Sequence, residues 1–190
     1  MLHFVMVEIL PAAFFLVPVY LLLYKLRFKD VRKSALCFLF AFYLCAVYAL
    51  TGLPNVTYIR FDFSANLVPL RGMLTGMRNT ILNILLFTPL GVFLPLLEGR
   101  YRMVKRTVAA GFFLSLSIEL LQIFTYRATD VNDLITNTVG TLAGFCIAGI
   151  GRKRIRASAK TTQRNSDVWI AFFTAFCGMF FLQPFLIMLV

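Results

Sequence analysis

Six stretches of this 190-residue chain stay apolar long enough to cross a bilayer, and that constrains its fold more than any other feature. Crossing hydrocarbon about 30 Å thick takes about 20 helical residues. The stretches are residues 5–24, 34–53, 80–97, 104–125, 134–150 and 168–190. Backbone groups in lipid must satisfy one another, so each stretch is expected to be a helix. A closed barrel would show alternating strands of about ten residues, and none are present. Composition agrees, with 60% hydrophobic and 14% charged residues, against about 25% charged in an average soluble domain. The fold class expected is all-α: a polytopic integral membrane helical bundle of six transmembrane helices, with residues 1–190 as a single membrane domain. The first stretch is too long for a signal-peptide core and has no basic segment before it, so it is expected to remain as a span.

Charge sets the orientation. Segments 24–33, 98–107 and 151–167 hold five, four and six Lys/Arg, whereas 54–79 and 126–133 hold three and one. The basic loops alternate, fifteen cations against four, which is the positive-inside pattern and puts both termini outside. Residues 80–97 contain Pro89, Gly91 and Pro95; a re-entrant loop there would put the Arg100–Arg106 cluster outside and break the alternation, so a full, kinked crossing is expected. The net charge of +11 is thus mainly a topology signal, aided by anionic inner-leaflet lipid. Loops this short offer no folded basic surface for nucleic acid. Cys37, Cys45, Cys146 and Cys177 sit in apolar runs at spacings that fit no metal motif. His3 is the single histidine, which argues against a zinc site or a Ser-His-Asp triad.

The polar residues of the spans collect in one outer layer. Glu119 lies six residues before the outer end of the fourth stretch, about 9 Å deep. Ser115 and Gln122 share its helix face at i−4 and i+3. Asp130, Asp133, Asn137, Gly140 and Gly144 recur at steps of three and four, and Asn79 and Asn83 open the third stretch. Glu8 and Gln183 also fall in outer halves. Intramembrane carboxylates and amides are costly and mark function by default. The outer cations are Arg60, Arg71, Arg78 and Arg127, without a lysine, and guanidinium forks suit carboxylate or phosphate. Structural alternatives stand beside each. Asp130 and Asp133 fit an N-cap and a first-turn acid. Gly140-Thr-Leu-Ala-Gly144 fits close helix packing, and the amides fit interhelical hydrogen bonding.

Four segments in this order resemble the VanZ-like family of bacterial membrane proteins: Asn66-Leu-Val-Pro69-Leu70; Asn83-Ile-Leu-Leu-Phe87-Thr-Pro89-Leu90-Gly91; Ser117-Ile-Glu119-Leu-Leu-Gln122; and Arg127-Ala-Thr-Asp130-Val-Asn-Asp133-Leu-Ile-Thr-Asn137-Thr-Val-Gly140. The resemblance covers residues 34–150 as a core, with 1–33 and 151–190 as flanking spans and basic inner loops. It implies a multi-pass protein of the bacterial plasma membrane and a link to lowered susceptibility to teicoplanin-type antibiotics. It supplies no reaction.

Two function classes are then expected. In the first, an outer-leaflet polar pocket binds an anionic amphiphile: a membrane lipid, a lipid-linked cell-wall intermediate or the lipoglycopeptide itself. Arg71, Arg78 and Arg127 would hold the head, Asn83, Gln122 and Asn137 would orient it, and Phe87 and its apolar neighbours would take the chain. The alternative is an intramembrane hydrolase or transferase with Glu119 as acid/base and Asp130 and Asp133 as its partners. No cofactor is expected, apart from Mg²⁺ or Ca²⁺ as a candidate at Asp130 and Asp133.

Overall fold

A computed structural model of the chain describes residues 2–57, 59, 61, 64–66, 68–70, 76–125, 129–155 and 166–187. The helices gather into two compact units, one of Met1–Phe61, Phe124–Tyr126 and Ser166–Val190, the other of Asp62–Ile123 and Arg127–Asn165.

In the first unit, α1 (Leu2–Leu23) runs into a π-helical turn, Tyr24–Phe28. Lys29 follows in the left-handed region at φ 53°. Asp30 then starts α2 (Val31–Thr51) by accepting from the backbone N–H of Arg32 at 2.9 Å and of Lys33 at 3.5 Å. This side-chain cap satisfies N–H groups that a helix start leaves without partners. At the other end of α2, Gly52 takes φ 63°, the left-handed C-cap that costs glycine least. The last apolar stretch forms α6 (Asp167–Cys177), a π turn over Gly178–Leu182 and α7 (Gln183–Ile187). Leu16, Cys37, Phe40, Ala171 and Met179 make a dry core, with Phe40 edge-on to Phe172 at 5.7 Å. Asp167 is 1% exposed and meets Arg27 Nη2 at 3.1 Å and Lys33 Nζ at 2.5 Å. Burying a carboxylate is costly unless cations pair with it, and Arg27 and Lys33 both do so here.

The second unit contains β1 (Ala65–Asn66), α3 (Met77–Leu97), a 3₁₀ turn at Gly99–Arg102, α4 (Val104–Gln122), β2 (Thr129–Asp130) and α5 (Val131–Ile155). The two short strands pair in parallel, Ala65 with Thr129 and Asn66 with Asp130. This bridge is an addition to the all-α expectation. α3 passes unbroken through Pro89 and Pro95, so residues 80–97 form one rod rather than a re-entrant loop.

Glycine decides how α3 and α5 meet. A Cβ on Gly144 would lie 1.9 Å from the Thr88 carbonyl oxygen, one on Gly140 2.3 Å from that of Ile84, and one on Gly91 2.0 Å from that of Thr141. The two backbones therefore touch directly, and the Gly140/Gly144 pair is a packing motif. α4 joins through Gly111, where a Cβ would sit 2.3 Å from Thr141 Oγ1.

Among the described residues, five helices are long and apolar enough to cross a membrane: Pro11–Phe28, Val31–Thr51, Met77–Leu97, Val131–Ile150 and Asp167–Phe185. α4, at 19 residues, carries Lys105, Arg106 and Glu119 and falls short of that measure. Replacing Gly144 with alanine forces a methyl into a backbone carbonyl. The expected result is a loss of about 1–3 kcal/mol, read as a fall in the detergent-solution melting temperature, whereas Val139→Ala on the exposed side of α5 leaves it nearly unchanged.

Candidate functional site

The polar residues expected to share one layer are organised around the start of α5. The first turns of a helix leave backbone N–H groups without intrahelical partners, and beside hydrocarbon each one left unmet is costly. Asp130, the residue before Val131, accepts from the Asn132 N–H at 2.8 Å, so it is the N-cap. Its own N–H donates to Glu119 Oε2 at 2.8 Å, and Thr129 Oγ1 donates to the Glu119 carbonyl oxygen at 3.2 Å. Glu119 is 4% exposed. This carboxylate thus joins α4 to the start of α5.

The segment around β1 closes over the same point. Asn66 Nδ2 donates to both Asp130 carboxylate oxygens at 3.2 Å. Asn66 Oδ1 accepts from the Val68 N–H at 3.4 Å, a turn typical of asparagine. Asn132 Oδ1 then accepts from the Leu70 N–H at 2.7 Å. Leu70 is held at φ 66° and is 68% exposed. Left-handed backbone is costly for a leucine, so the bond from Asn132 holds an otherwise unfavourable turn.

Two further links follow along α5. Asn83 on α3 donates to Asp133 Oδ1 at 2.7 Å. Asn137, one turn beyond Asp133, donates to Ser115 Oγ on α4 at 2.9 Å. Its amide oxygen is buried and has no hydrogen-bond partner among the described residues. On α4, Gly111, Ser115, Ile118, Glu119 and Gln122 are all buried, which matches one face read at steps of three and four.

Six of the nine expected site residues therefore lie on the facing elements of this unit: Glu119 and Gln122 on α4, Asp130, Asp133 and Asn137 at the start of α5, and Asn83 on α3. Asp130, Asp133 and Asn83 are half-buried, whereas Glu119, Gln122 and Asn137 are buried. Arg78 is not with them. It lies five residues from Asn83, about 140° around α3, on the side where Ile81, Leu82 and Leu85 are exposed. Arg71 and Arg127, like Arg60, lie outside the described residues. Phe87, expected to accept an acyl chain, is fully buried and belongs to the helix core. Gln183 is a buried residue of the first unit. Sequence reasoning named no site role for Asn66 or Asn132. Their signals are local: Asn66 starts an asparagine turn before Pro69, and Asn132 sits two residues past the cap.

Asp130 and Asp133 supply oxygen ligands of the kind hard cations take, but both already accept from amide donors. No group of three or more His, Cys, Asp or Glu suited to a metal occurs among the described residues.

Several apolar helices and this buried polar joint define a multi-pass helical membrane protein. The chain belongs to the VanZ/LLP1 family, whose model matches residues 38–152. It is also similar to Protein VanZ of Enterococcus faecium, 36% identical over 96 residues that cover 48% of this chain and 56% of that protein. The chain thus spans about half the length of the curated relative it matches. No solved structure matches it.

Glu119 accepts a backbone hydrogen bond, and glutamine retains an acceptor at the same place. Glu119→Gln is expected to melt within about 1 kcal/mol of wild type, while Glu119→Leu, which strands the Asp130 N–H, costs about 1–3 kcal/mol. Thermal unfolding in detergent measures both.

Proposed function

We propose that this protein is a non-catalytic component of the bacterial plasma membrane whose outer polar layer binds an anionic amphiphile: a lipid, a lipid-linked cell-wall intermediate or a lipoglycopeptide. In doing so it lowers susceptibility to teicoplanin-type antibiotics. The observation that carries this reading is that Glu119, Asp130 and Asp133 all serve as acceptors holding the start of α5. Carboxylates used in that way favour a scaffold over an acid/base pair. Amides at the half-buried edge, Asn83 foremost, are then groups suited to an anionic head, and the proposal assigns the guanidinium groups of Arg71 and Arg127 to the same head. The unpartnered Asn137 amide oxygen supports a role in accepting a hydroxyl or amide of the ligand.

The orientation in this proposal has six helical crossings, α4 among them, with both termini outside. Fifteen cations in alternate loops against four in the others support it. α4 crosses because its three charges sit near its ends (Lys105 and Arg106 at the inner one), with Glu119 compensated by hydrogen bonds.

Susceptibility of cells expressing variants tests the binding reading. Glu119→Gln is expected to protect as well as wild type, because proton transfer is not used. Arg127→Lys is expected to lose most protection, because a bidentate fork becomes a point charge. A folded Glu119→Gln protein without protection would instead establish the acid/base alternative. Topology has its own measurement. In a cysteine-free background, Arg71→Cys is expected to react with an impermeant thiol reagent in intact cells, and Arg102→Cys only after permeabilisation.

A further inference from the structure

The first unit has a feature that the outer polar layer does not use. Between α1 and α2 lies an almost wholly apolar groove of about 390 Å³. Val17 and Leu21 wall it on one side, Val31, Ala35 and Phe38 on the other, and the buried Tyr20 lies at its floor. The wall residues recur at steps of three and four on both helices, so the groove follows the hairpin for seven residues, about 10 Å.

At the hairpin turn the surface changes character. Residues 24–33 hold five cations and one acid. Arg27 and Lys33 are committed to Asp167, and Asp30 is occupied in capping α2. Lys25, Lys29 and Arg32 are exposed and form no ion pair among the described residues. Lys25 stands one turn beyond Leu21, and Arg32 one turn before Ala35. Each wall of the groove therefore ends in a free cation. Counting Asp30 and Asp167 against the five cations leaves a local charge of +3.

An apolar channel at hydrocarbon depth with a cationic mouth at the end of the span complements a lipid with an anionic headgroup. A second copy of the chain fits poorly. Two copies in one membrane share an orientation, so their +3 mouths would lie at the same depth and repel. We infer that the α1–α2 groove is a binding site for an anionic phospholipid, with an acyl chain along Val17, Leu21, Ala35 and Phe38 and the phosphate met by Lys25, Lys29 and Arg32. Long lysine and arginine stems reach the headgroup level while their methylenes stay on apolar surface.

Native mass spectrometry of the purified protein, titrated with phosphatidylglycerol or with phosphatidylcholine of the same chains, tests the site. Wild type is expected to retain phosphatidylglycerol about tenfold better. Lys25→Gln/Lys29→Gln/Arg32→Gln is expected to hold the two lipids equally. Because neutralising inner cations can also disturb insertion, Ala35→Trp keeps every charge and fills the groove; it is expected to lower phosphatidylglycerol retention about tenfold. Equal retention of both lipids by wild type, a preference that survives the triple substitution, or unchanged retention in Ala35→Trp would each overturn the assignment. So would a wild-type dimer that Ala35→Trp abolishes, since that would make the groove an interface between copies.

Discussion

A helix that begins at the edge of hydrocarbon has to find partners for its first backbone N–H groups within the protein, since lipid offers none. The start of α5 shows how this chain meets that demand. Glu119 of α4 takes the Asp130 N–H, Asp130 takes the Asn132 N–H, and Asn66 covers the Asp130 carboxylate. Asn132 in turn holds the Leu70 N–H. One chain of acceptors therefore fixes where α5 begins, how α4 ends against it and where the segment around β1 folds back. Carboxylates suit the task because each offers two acceptor oxygens.

Below that joint the second unit changes from hydrogen bonding to contact. Gly91, Gly140 and Gly144 remove the side chains that would keep α3 and α5 apart, and carbonyl oxygens of one helix press on the glycines of the other. Lipid offers little hydrophobic drive for association between helices, so close backbone approach supplies dispersion contact in its place. Thr141, fully buried, packs at both Gly91 and Gly111 and so brings α4 into the same contact. The polar joint sets the register of these helices, and the glycines let them close.

The first unit meets the same constraint with ions. Asp167 sits at the start of α6 with Arg27 and Lys33 on its carboxylate, and Asp30 caps α2 two residues beyond the π turn. The acids in this basic region are occupied in holding helix ends, which leaves Lys25, Lys29 and Arg32 available at the surface. Acids committed to structure and an outward cation recur in the second unit, where Asp130 and Asp133 accept hydrogen bonds at the start of α5 and Arg78 is exposed.

Among the described residues, helices occupy all six of the apolar stretches expected from run length, and five of them are long and apolar enough to cross hydrocarbon. The stretch expected at 80–97 became Met77–Leu97, and that at 134–150 became Val131–Ile155; the shared face of Ser115, Glu119 and Gln122 was readable because helical periodicity is local. Asp130 was legible as a cap for the same reason. Its partners were not, since Asn66 lies 64 residues away, and the chain between them carries no mark of the pairing. Arg78 and Asn83 looked like neighbours along the chain, yet a step of five turns them to different sides of α3. Hydropathy and period thus decided the elements and their faces. Which amide meets which acid, and that Phe87 is core rather than ligand surface, depended on packing between distant segments, which only the folded chain brings together.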